Sequence, residues 1–382
     1  MPRLALLAAA FLIGACPANA APAYSIPSAE DAPIAFMYDA SSGQVLFERQ
    51  ADRRFMPASV TKAMTTFLAF EWLAEGRIDP RQRYVMDRDT FRQWASVGST
   101  MYLPVNSLTS VDELLQGIAA VSANDASILL AQGAAGSVAE WTSAMNDKAA
   151  DIGMTDSHFN TPNGWMDDGR TFTTARDLAR LGDAMTRRHP GLYARYVGRQ
   201  EFAFNGIKQY NHDPITGRVE GADGIKTGFT NQAGHGFLGS AERDGRRLIM
   251  VVAASPRGPA RNRAAREFME WGFATFASRT LYRADEVVGQ AAVQGGAETQ
   301  VNLVSSVPIR VSTLLGRPGD VKARIAYTGP LRAPITAGEP VAELVVSLDG
   351  EEVARTPLQA RSAVGTAGWF SAARNGILGW IS

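Results

Sequence analysis

The chain has 382 residues, of which 46% are hydrophobic and 20% are charged. This length suggests two domains or three, with enough apolar side chains for a sizeable core. The 38 basic and 38 acidic side chains give a formal net charge of zero, which argues against a nucleic-acid-binding protein and against a disordered chain. A single cysteine excludes a disulfide framework and a multi-cysteine metal site, and four scattered histidines disfavour a histidine-rich one.

The N-terminus has the pattern of a signal peptide over residues 1–20. A short basic start precedes an apolar run over residues 4–15, and Ala18–Ala20 forms an A-x-A cleavage site. The pattern predicts secretion across the cytoplasmic membrane, with removal of Cys16. Two alternatives stay open. One is a lipoprotein signal with Cys16 as the lipidated first residue, which Pro17 disfavours, and the other is a buried N-terminal helix.

In the first part of the mature chain, predicted strands lie at both ends and helices lie between them, which indicates an α/β domain over residues 24–278. Ser59 begins an apolar helix, Ser110 begins another through a capping box, and Asp244-Gly245 marks a hairpin turn. In chain order, the predicted elements are the strands Ile34–Tyr38 and Gln44–Glu48, the helices Ser59–Leu73, Ser110–Val121, Asn124–Gln132 and Thr174–Met185, the strands Phe237–Glu242 and Leu248–Ala253, and the helix Ala264–Phe276.

Residues 283–362 lack a helical period and favour a small all-β sandwich domain. Leu348–Glu351 has the pattern of a hairpin turn within it. Residues 367–382 form a separate amphipathic segment with two tryptophans, typical either of contact with a membrane interface or of a tail helix packed on the β domain. The predicted strands of the β domain are Val301–Val304, Ile309–Val311, Ala323–Tyr327 and Glu343–Leu348.

Three short motifs follow one another in the chain and carry chemically active side chains. They are Ser59-Val60-Thr61-Lys62, Ser122-Ala123-Asn124 and Lys226-Thr227-Gly228. The first two patterns are each expected by chance on the order of once in a chain of this length. Together, and in this order, the three match the S-x-x-K, S-x-N and K-T-G set of serine penicillin-recognising enzymes.

The first motif predicts a nucleophile and its base. Ser59 and Lys62 lie three residues apart, so a helix places them on one face. A serine hydroxyl needs a base to become a nucleophile, and a lysine is a base only when its amine is neutral. Burial, the positive end of the helix and the charge of Lys226 would each lower the pKa of Lys62.

The other two motifs predict complementary roles. Ser122 lies at a break between two predicted helices, where its hydroxyl could relay a proton. Asn124 could bind both the lysine of the first motif and a substrate amide. Lys226 and Thr227 would meet a substrate carboxylate, and Gly228 would let a substrate backbone approach a strand closely.

Each motif also has a purely structural interpretation. Ser59 could be a helix N-cap, and the second and third motifs could be turn and loop residues. A chance occurrence of all three in this order is rare, so the catalytic interpretation is preferred. The sequence indicates no metal and no organic cofactor, and structural or surface roles are expected for the four histidines, which are His158, His189, His212 and His235.

On these motifs the chain resembles the secreted D-alanyl-D-alanine carboxypeptidases, the low-molecular-mass penicillin-binding proteins of bacteria. The resemblance implies a β-lactamase-like α+β domain with an antiparallel sheet, then a β-rich domain and an amphipathic membrane anchor at residues 367–382. It also implies a place in the periplasm, on the outer face of the inner membrane. Further matching segments are Ala123–Ala126, His158–Phe159, Asn163–Gly164, Thr174–Ala179, Asp223–Ile225 and Trp271–Phe273.

The resemblance implies a reaction on peptidoglycan stem peptides that end in D-Ala-D-Ala. Ser59 would attack the carbonyl between the two D-alanines, and the backbone N–H groups of Ser59 and Phe229 would form the oxyanion hole. Thr227 and Arg261 would hold the terminal carboxylate. D-Alanine would leave, water would hydrolyse the acyl-enzyme, and β-lactams would acylate Ser59 in place of the substrate.

Two positions depart from the family pattern. Phe229 stands where many relatives have histidine, and Asn211–Asp213 contains no arginine where relatives often carry one, although Arg218 or His212 could substitute. Two other functions stay open: a D,D-endopeptidase that cuts cross-links, and a non-catalytic peptidoglycan-binding morphology factor. A class A β-lactamase is disfavoured because no E-x-x-L-N segment follows Asn124 before the third motif.

Overall fold

The structure is a computed structural model that describes residues 24–367. Up to residue 275 the chain contains both helices and strands, with five consecutive helices followed by five consecutive strands in its later part. The strands of this part are β1 (Ile34–Asp39), β2 (Gln44–Arg49), β3 (Arg83–Val85), β4 (Leu108–Ser110), β5 (Glu201–Phe204), β6 (Ile207–Tyr210), β7 (Ala222–Thr230), β8 (Gly234–Arg243) and β9 (Arg246–Ser255). The helices are α1 (Thr61–Ala74), α2 (Arg88–Trp94), α3 (Val111–Val121), α4 (Asn124–Ala135), α5 (Val138–Asp151), α6 (Ala175–Arg188), α7 (Pro190–Tyr196) and α8 (Gly258–Thr275).

The centre of this domain is a five-stranded antiparallel sheet in the order β2-β1-β9-β8-β7. Alternate side chains of β9 enter the cores on its two faces. Met250 packs in one core with Phe268 of α8, and Ile249 packs in the other with Phe67 of α1 and Leu181 of α6. Burial of both faces requires helices on both sides, and the predicted α+β domain with an antiparallel sheet is confirmed.

Two helix starts differ from the sequence prediction. A 3₁₀ turn over Ala58–Val60 precedes α1, so Ser59 lies in this turn and the regular helix begins at Thr61. Helix α8 begins at Gly258, six residues before the predicted start, because Pro259 in its first turn favours helix initiation. Arg261 therefore lies near the beginning of α8.

The second domain is built of strands alone within the described residues. A six-stranded sheet in the order β14-β16-β17-β12-β11-β15 and the pair β10-β13 share one hydrophobic core, which confirms the predicted small all-β domain. The predicted boundary at residue 278 falls inside β10. The strands are β10 (Phe276–Tyr282), β11 (Val287–Gln294), β12 (Gln300–Val304), β13 (Ile309–Leu314), β14 (Val321–Ala326), β15 (Leu331–Arg332), β16 (Pro340–Leu348) and β17 (Glu351–Ala360).

A buried polar cluster joins the two domains. The Asp39 carboxylate accepts hydrogen bonds from Arg246 Nε at 2.8 Å and from Ser312 Oγ at 2.5 Å. The Gln44 amide pairs with the backbone of Ser312 in both directions, and Arg246 Nη1 donates to the Phe276 carbonyl at 2.7 Å. We call Asp39, Gln44, Arg246 and Ser312 the interdomain cluster. All four side chains are buried, so the β domain is held by directional contacts.

The predicted signal peptide and nearly all of the predicted tail lie outside the described residues. Ala367, the last described residue, donates its N–H to the Gly295 carbonyl at 2.8 Å. Between residues 24 and 367 no helix is both long enough and apolar enough to cross a bilayer.

Candidate active site

A cleft of about 780 Å³ opens where β7 meets the turn before α1 and the start of α4. Residues of all three motifs line it, although they are far apart in sequence. Lys62 and Lys226 of the same motifs are buried and are not among the residues that line the cleft. The motif residues that line the cleft are Ser59, Ser122, Asn124, Thr227 and Gly228, and Phe229 and Arg261 join them.

The first motif places an amine against a hydroxyl. Lys62 Nζ donates hydrogen bonds to Ser59 Oγ at 3.0 Å and to the Asn163 carbonyl at 2.7 Å. The Lys62 side chain is fully buried, and this burial, reinforced by the charge of Lys226, holds its pKa well below the usual value. The neutral amine is thereby favoured, as general-base action on Ser59 requires.

Two glycines fix the turn that carries Ser59. A Cβ on Gly164 would lie 1.8 Å from the Ala58 carbonyl oxygen, and a Cβ on Gly228 would lie 2.5 Å from the Pro57 carbonyl oxygen. No other residue type could approach the turn so closely at either point. We call Gly164 and Gly228 the glycine clamp.

The second motif lies at the junction of α3 and α4. Ser122 ends α3 in the left-handed conformation, with φ of 62°, which turns the chain between the two helices. Asn124 Nδ2 donates to the Val97 carbonyl at 2.8 Å, whereas the expected bond to Lys62 is absent from the hydrogen bonds of the described residues. Asn124 Oδ1 is buried and has no partner in the described part of the chain, which leaves an unsatisfied acceptor on a residue that lines the cleft.

A loop before α3 forms one side of the cleft and is tied to α4. The buried Asp125 carboxylate accepts backbone N–H groups from Met101 at 3.0 Å and from Leu103 at 3.1 Å. This loop carries the Val97 carbonyl that holds Asn124. The orientation of Asn124 therefore depends on a contact that the sequence motif does not include.

The third motif supplies a cationic wall. Lys226 Nζ donates to the Thr227 carbonyl at 3.0 Å, and burial together with the charge of Arg261 lowers the pKa of Lys226 to about 7. Arg261 Nη1 donates to the Gly236 carbonyl at 2.7 Å, and burial lowers the pKa of Arg261 to about 10. Two desolvated cations beside the Thr227 hydroxyl make a site that favours a carboxylate.

Phe229 covers the rim of this wall. Its ring stacks on His235 with centroids 4.1 Å apart and an angle of 19° between the planes, and the two residues are cross-strand partners in β7 and β8. Phe229 is 51% exposed towards the cleft. His212, which lies within the segment that lacks the expected arginine, and Arg218 line the same cleft.

The structure adds roles that the three motifs did not predict. Asn163, part of a segment that matches the family, and Val97 act through their backbone carbonyls, which no side-chain pattern can reveal. His235 reaches the cleft only because β8 pairs with β7. Within residues 24–367, no group of three or more His, Cys, Asp or Glu side chains could hold a metal ion.

Comparison with known proteins gives the family. The family model described as D-alanyl-D-alanine carboxypeptidase matches residues 20–256. The chain belongs to this family. A second model, the C-terminal domain of penicillin-binding protein 5, matches residues 276–366. The first match covers most of the domain with the cleft and ends before α8, and the second covers the all-β domain.

Individual relatives agree over most of their length. The chain is 32% identical to the D-alanyl-D-alanine carboxypeptidase DacA of Haemophilus influenzae, over 87% of this chain and 85% of the relative. It is 32% identical to the D-alanyl-D-alanine carboxypeptidase DacC of Escherichia coli, over 89% of this chain and 86% of the relative. The crystal structure of penicillin-binding protein 5 from Haemophilus influenzae is similar with a TM-score of 0.77 and 30% identity, over 89% of this chain and 99% of that one.

Proposed function

We propose that this carboxypeptidase releases the terminal D-alanine from peptidoglycan stem peptides that end in D-Ala-D-Ala, through an acyl-enzyme on Ser59. The observation that carries the proposal is the 3.0 Å contact between Ser59 Oγ and the buried Lys62 amine. A depressed lysine pKa beside a serine supplies the activated nucleophile that amide hydrolysis needs.

Acylation follows from the placement of these groups. The neutral Lys62 amine takes the proton of Ser59, and Ser59 Oγ attacks the carbonyl of the penultimate D-alanine. The backbone N–H groups of Ser59 and Phe229 stabilise the oxyanion that develops. Thr227, Lys226 and Arg261 hold the terminal carboxylate, and Ser122 relays the proton to the leaving amine.

Deacylation transfers the acyl group from Ser59 to water and regenerates the enzyme. Asn124 Oδ1 accepts an amide N–H of the bound peptide throughout. β-Lactams enter the same path and acylate Ser59. A relative, penicillin-binding protein D2 of Listeria monocytogenes, has been solved in an ampicillin-bound form and is 29% identical with a TM-score of 0.57, over 64% of this chain and 97% of that chain.

D-Alanine release tests the proposal. The mature protein and its Ser59→Ala variant are incubated with a peptide that ends in D-Ala-D-Ala. We expect release by the wild type and a loss of at least about a thousandfold in the variant, because removal of the nucleophile removes the covalent path. Folded wild-type protein that released no D-alanine would contradict the proposal.

We further propose that residues 1–20 are a signal peptide and that residues 367–382 bring the protein to a membrane surface from the periplasmic side. Sedimentation with anionic liposomes tests the tail. We expect the mature full-length protein to sediment and a form that ends at Ala367 to stay in solution. This end point keeps Val364, which is 2% exposed in the core of the β domain.

A further inference from the structure

A second cavity of about 380 Å³ lies beside the reactive cleft. We call it the side cavity. It lies between the β5–β6 hairpin and the segment that follows β6. Its own lining includes Arg199, Gln200, Glu201, Tyr210 and Thr216, and it meets the reactive cleft at Asn211, Asp213 and Arg218, which line both.

The junction lies on the side of the cleft that is proposed to hold the terminal carboxylate. The buried Asp213 acts electrostatically on both Lys226 and Arg261, where it partly offsets the lowering of their pKa values by burial. Arg266, which lines the cleft beyond Arg261, donates to the carbonyl of the neighbouring Pro214 at 3.4 Å. The junction of the two cavities therefore borders the site that is proposed to hold the carboxylate.

The acidic and amide groups at the junction are already satisfied. The Asp213 carboxylate accepts from the backbone N–H and the hydroxyl of Thr216 and from the Ile215 N–H. Asn211 donates to the Arg199 carbonyl at 2.8 Å and accepts from the Asp213 N–H at 3.0 Å. These contacts occupy the side chains of Asp213 and Asn211 and involve none of the basic side chains around the junction.

The arginines at the side cavity remain available. Arg218 uses one guanidinium nitrogen, at 3.2 Å from the Asp213 carbonyl, and among the described residues neither Arg218 nor Arg199 forms an ion pair. Both side chains are exposed. Glu201 is paired with Lys208 at 2.6 Å, so its charge is compensated. Among the described residues that line the side cavity, the guanidinium groups of Arg199 and Arg218 are thus the cations available to a ligand.

We infer that the side cavity is a subsite for an anionic side chain on the leaving residue, so that the enzyme also hydrolyses peptides that end in D-Ala-D-X with an acidic X. The inference rests on the proposed function, because the same peptide bond breaks and the D-amino acid leaves with its amine protonated. Thr227 and Arg261 hold the α-carboxylate, and Arg218 and Arg199 receive the side-chain carboxylate.

The test compares peptides that are identical except for the last residue, which is D-alanine, D-glutamate, D-glutamine or D-lysine. For the wild type we expect kcat/KM for D-glutamate to exceed that for its neutral isostere D-glutamine by at least about threefold, since exposed charge pairs contribute effects of this size. D-Lysine should be the poorest of the three larger residues. The D-glutamate advantage should shrink at high ionic strength.

Arg199 provides the discriminating variant, because it lines the side cavity and not the reactive cleft. Arg199→Gln should abolish the advantage of D-glutamate over D-glutamine and leave D-alanine release within about twofold of the wild type. Arg88→Gln is the matched control, since Arg88 is exposed and lines neither cavity. It should retain the D-glutamate advantage.

The inference would be overturned if the wild type hydrolysed the D-glutamate and D-glutamine peptides equally well. It would also be overturned if Arg199→Gln left the ratio of their kcat/KM values unchanged. In either case, normal release of D-alanine would still uphold the proposed function. Failure of the wild type to release D-alanine from D-Ala-D-Ala overturns both. Circular dichroism and thermal melting of each variant separate lost recognition from lost folding.

Discussion

At the scale of single residues, two buried lysines with opposite requirements shape the site. Lys62 must be neutral to accept the Ser59 proton, whereas Lys226 must be charged to hold a carboxylate. Burial lowers the pKa of both, and the value for Lys226 falls to about 7. The charge of Lys226 also lowers the pKa of Lys62, and the charge of Arg261 lowers the pKa of Lys226. The protonation steps therefore belong to the coupled set of basic side chains and not to one residue.

This arrangement predicts a bell-shaped pH profile of kcat/KM. Activity should fall on the acid side as Lys62 takes up a proton, and on the alkaline side as Lys226 loses its proton, near pH 7 for the free enzyme. In Lys226→Arg the guanidinium stays charged, so the alkaline limb should move to higher pH. The pH profiles of the wild type and of Lys226→Arg are measured with one D-Ala-D-Ala peptide. Identical profiles for the two enzymes would contradict this assignment.

Gly164 gives a second prediction at the residue scale. Its Cβ would overlap the Ala58 carbonyl, so Gly164→Ala must shift the turn that carries Ser59. We expect acylation by a fluorescent β-lactam to slow by about a hundredfold, since a small misplacement of a nucleophile has effects of this order.

The control for Gly164→Ala is Gly169→Ala. Gly169 has a similar positive φ of 78°, but nothing lies within 4 Å of the position a Cβ would occupy. The Gly169→Ala variant therefore introduces the conformational strain of a positive φ without a steric overlap. Equal slowing in the two variants would show that backbone strain, and not the clamp, controls acylation.

At the scale of elements, the loop that leads to α3 depends on one buried carboxylate. Asp125→Asn would replace an oxygen that accepts a backbone N–H of Met101 or Leu103 by a donor. We expect a loss of about 1–3 kcal/mol in the free energy of unfolding, because a buried hydrogen bond becomes a mismatch. Urea denaturation measures this loss, and hydrogen exchange over residues 97–103 locates it.

The same substitution should lower kcat, since the loosened loop no longer fixes Asn124 through the Val97 carbonyl. Asp89→Asn is the control. Asp89 lies exposed in α2, where its ion pair with Arg92 spans 3.5 Å. Loss of this exposed ion pair should change the free energy of unfolding by less than about 1 kcal/mol. If Asp125→Asn leaves hydrogen exchange in the loop unchanged, the loop is held by other contacts.

The elements that the sequence predicted well are those whose ends are specified by local cap and turn residues. The capping box at Ser110 forms as expected, and the hairpins at Asp244-Gly245 and Asp349-Gly350 join β8 to β9 and β16 to β17. In each case local chemistry decides the backbone conformation. The order of the three motifs likewise identified side chains that the fold brings into one cleft.

The elements that the sequence missed are decided by tertiary contacts. Strand β7 contains Gly224 and Gly228 and has no strand pattern, because Gly228 must pass the Pro57 carbonyl and leaves no room for a side chain. The partner of Asn124 could not be predicted either, since Val97 offers a backbone carbonyl that only the folded loop positions.

At the scale of the whole molecule, the interdomain cluster sets how the β domain is attached. Ser312→Ala removes one of the donors to the buried Asp39 carboxylate. We expect a loss of about 1–3 kcal/mol in the free energy of unfolding, because Asp39 is 0% exposed and no water replaces the hydroxyl. Small-angle scattering should also show a broader distribution of domain arrangements than in the wild type.

Ser306→Ala is the control for this substitution, because Ser306 is an exposed serine of the same domain. It should leave both the unfolding curve and the scattering unchanged. Hydrolysis of a small D-Ala-D-Ala peptide should be the same in both variants, since the cleft lies entirely in the first domain. A drop in this activity with Ser312→Ala would mean that the β domain supports the cleft.

The glycine clamp has a consequence for how the cleft adapts to bulky ligands. The backbones of Gly164 and Gly228 pack against the Ser59 turn on two sides. The turn therefore has no room to move away from the cleft when an acyl group is attached to Ser59. The adjustment must come from the solvent-facing border next to the clamp, where Phe229 follows Gly228, stacks on His235 and is 51% exposed. The backbone around Ser59 is therefore rigid, whereas the exposed Phe229 side chain is free to move. In complexes with inhibitors of different width, the position of the Phe229 ring should differ and the position of Ser59 should stay the same.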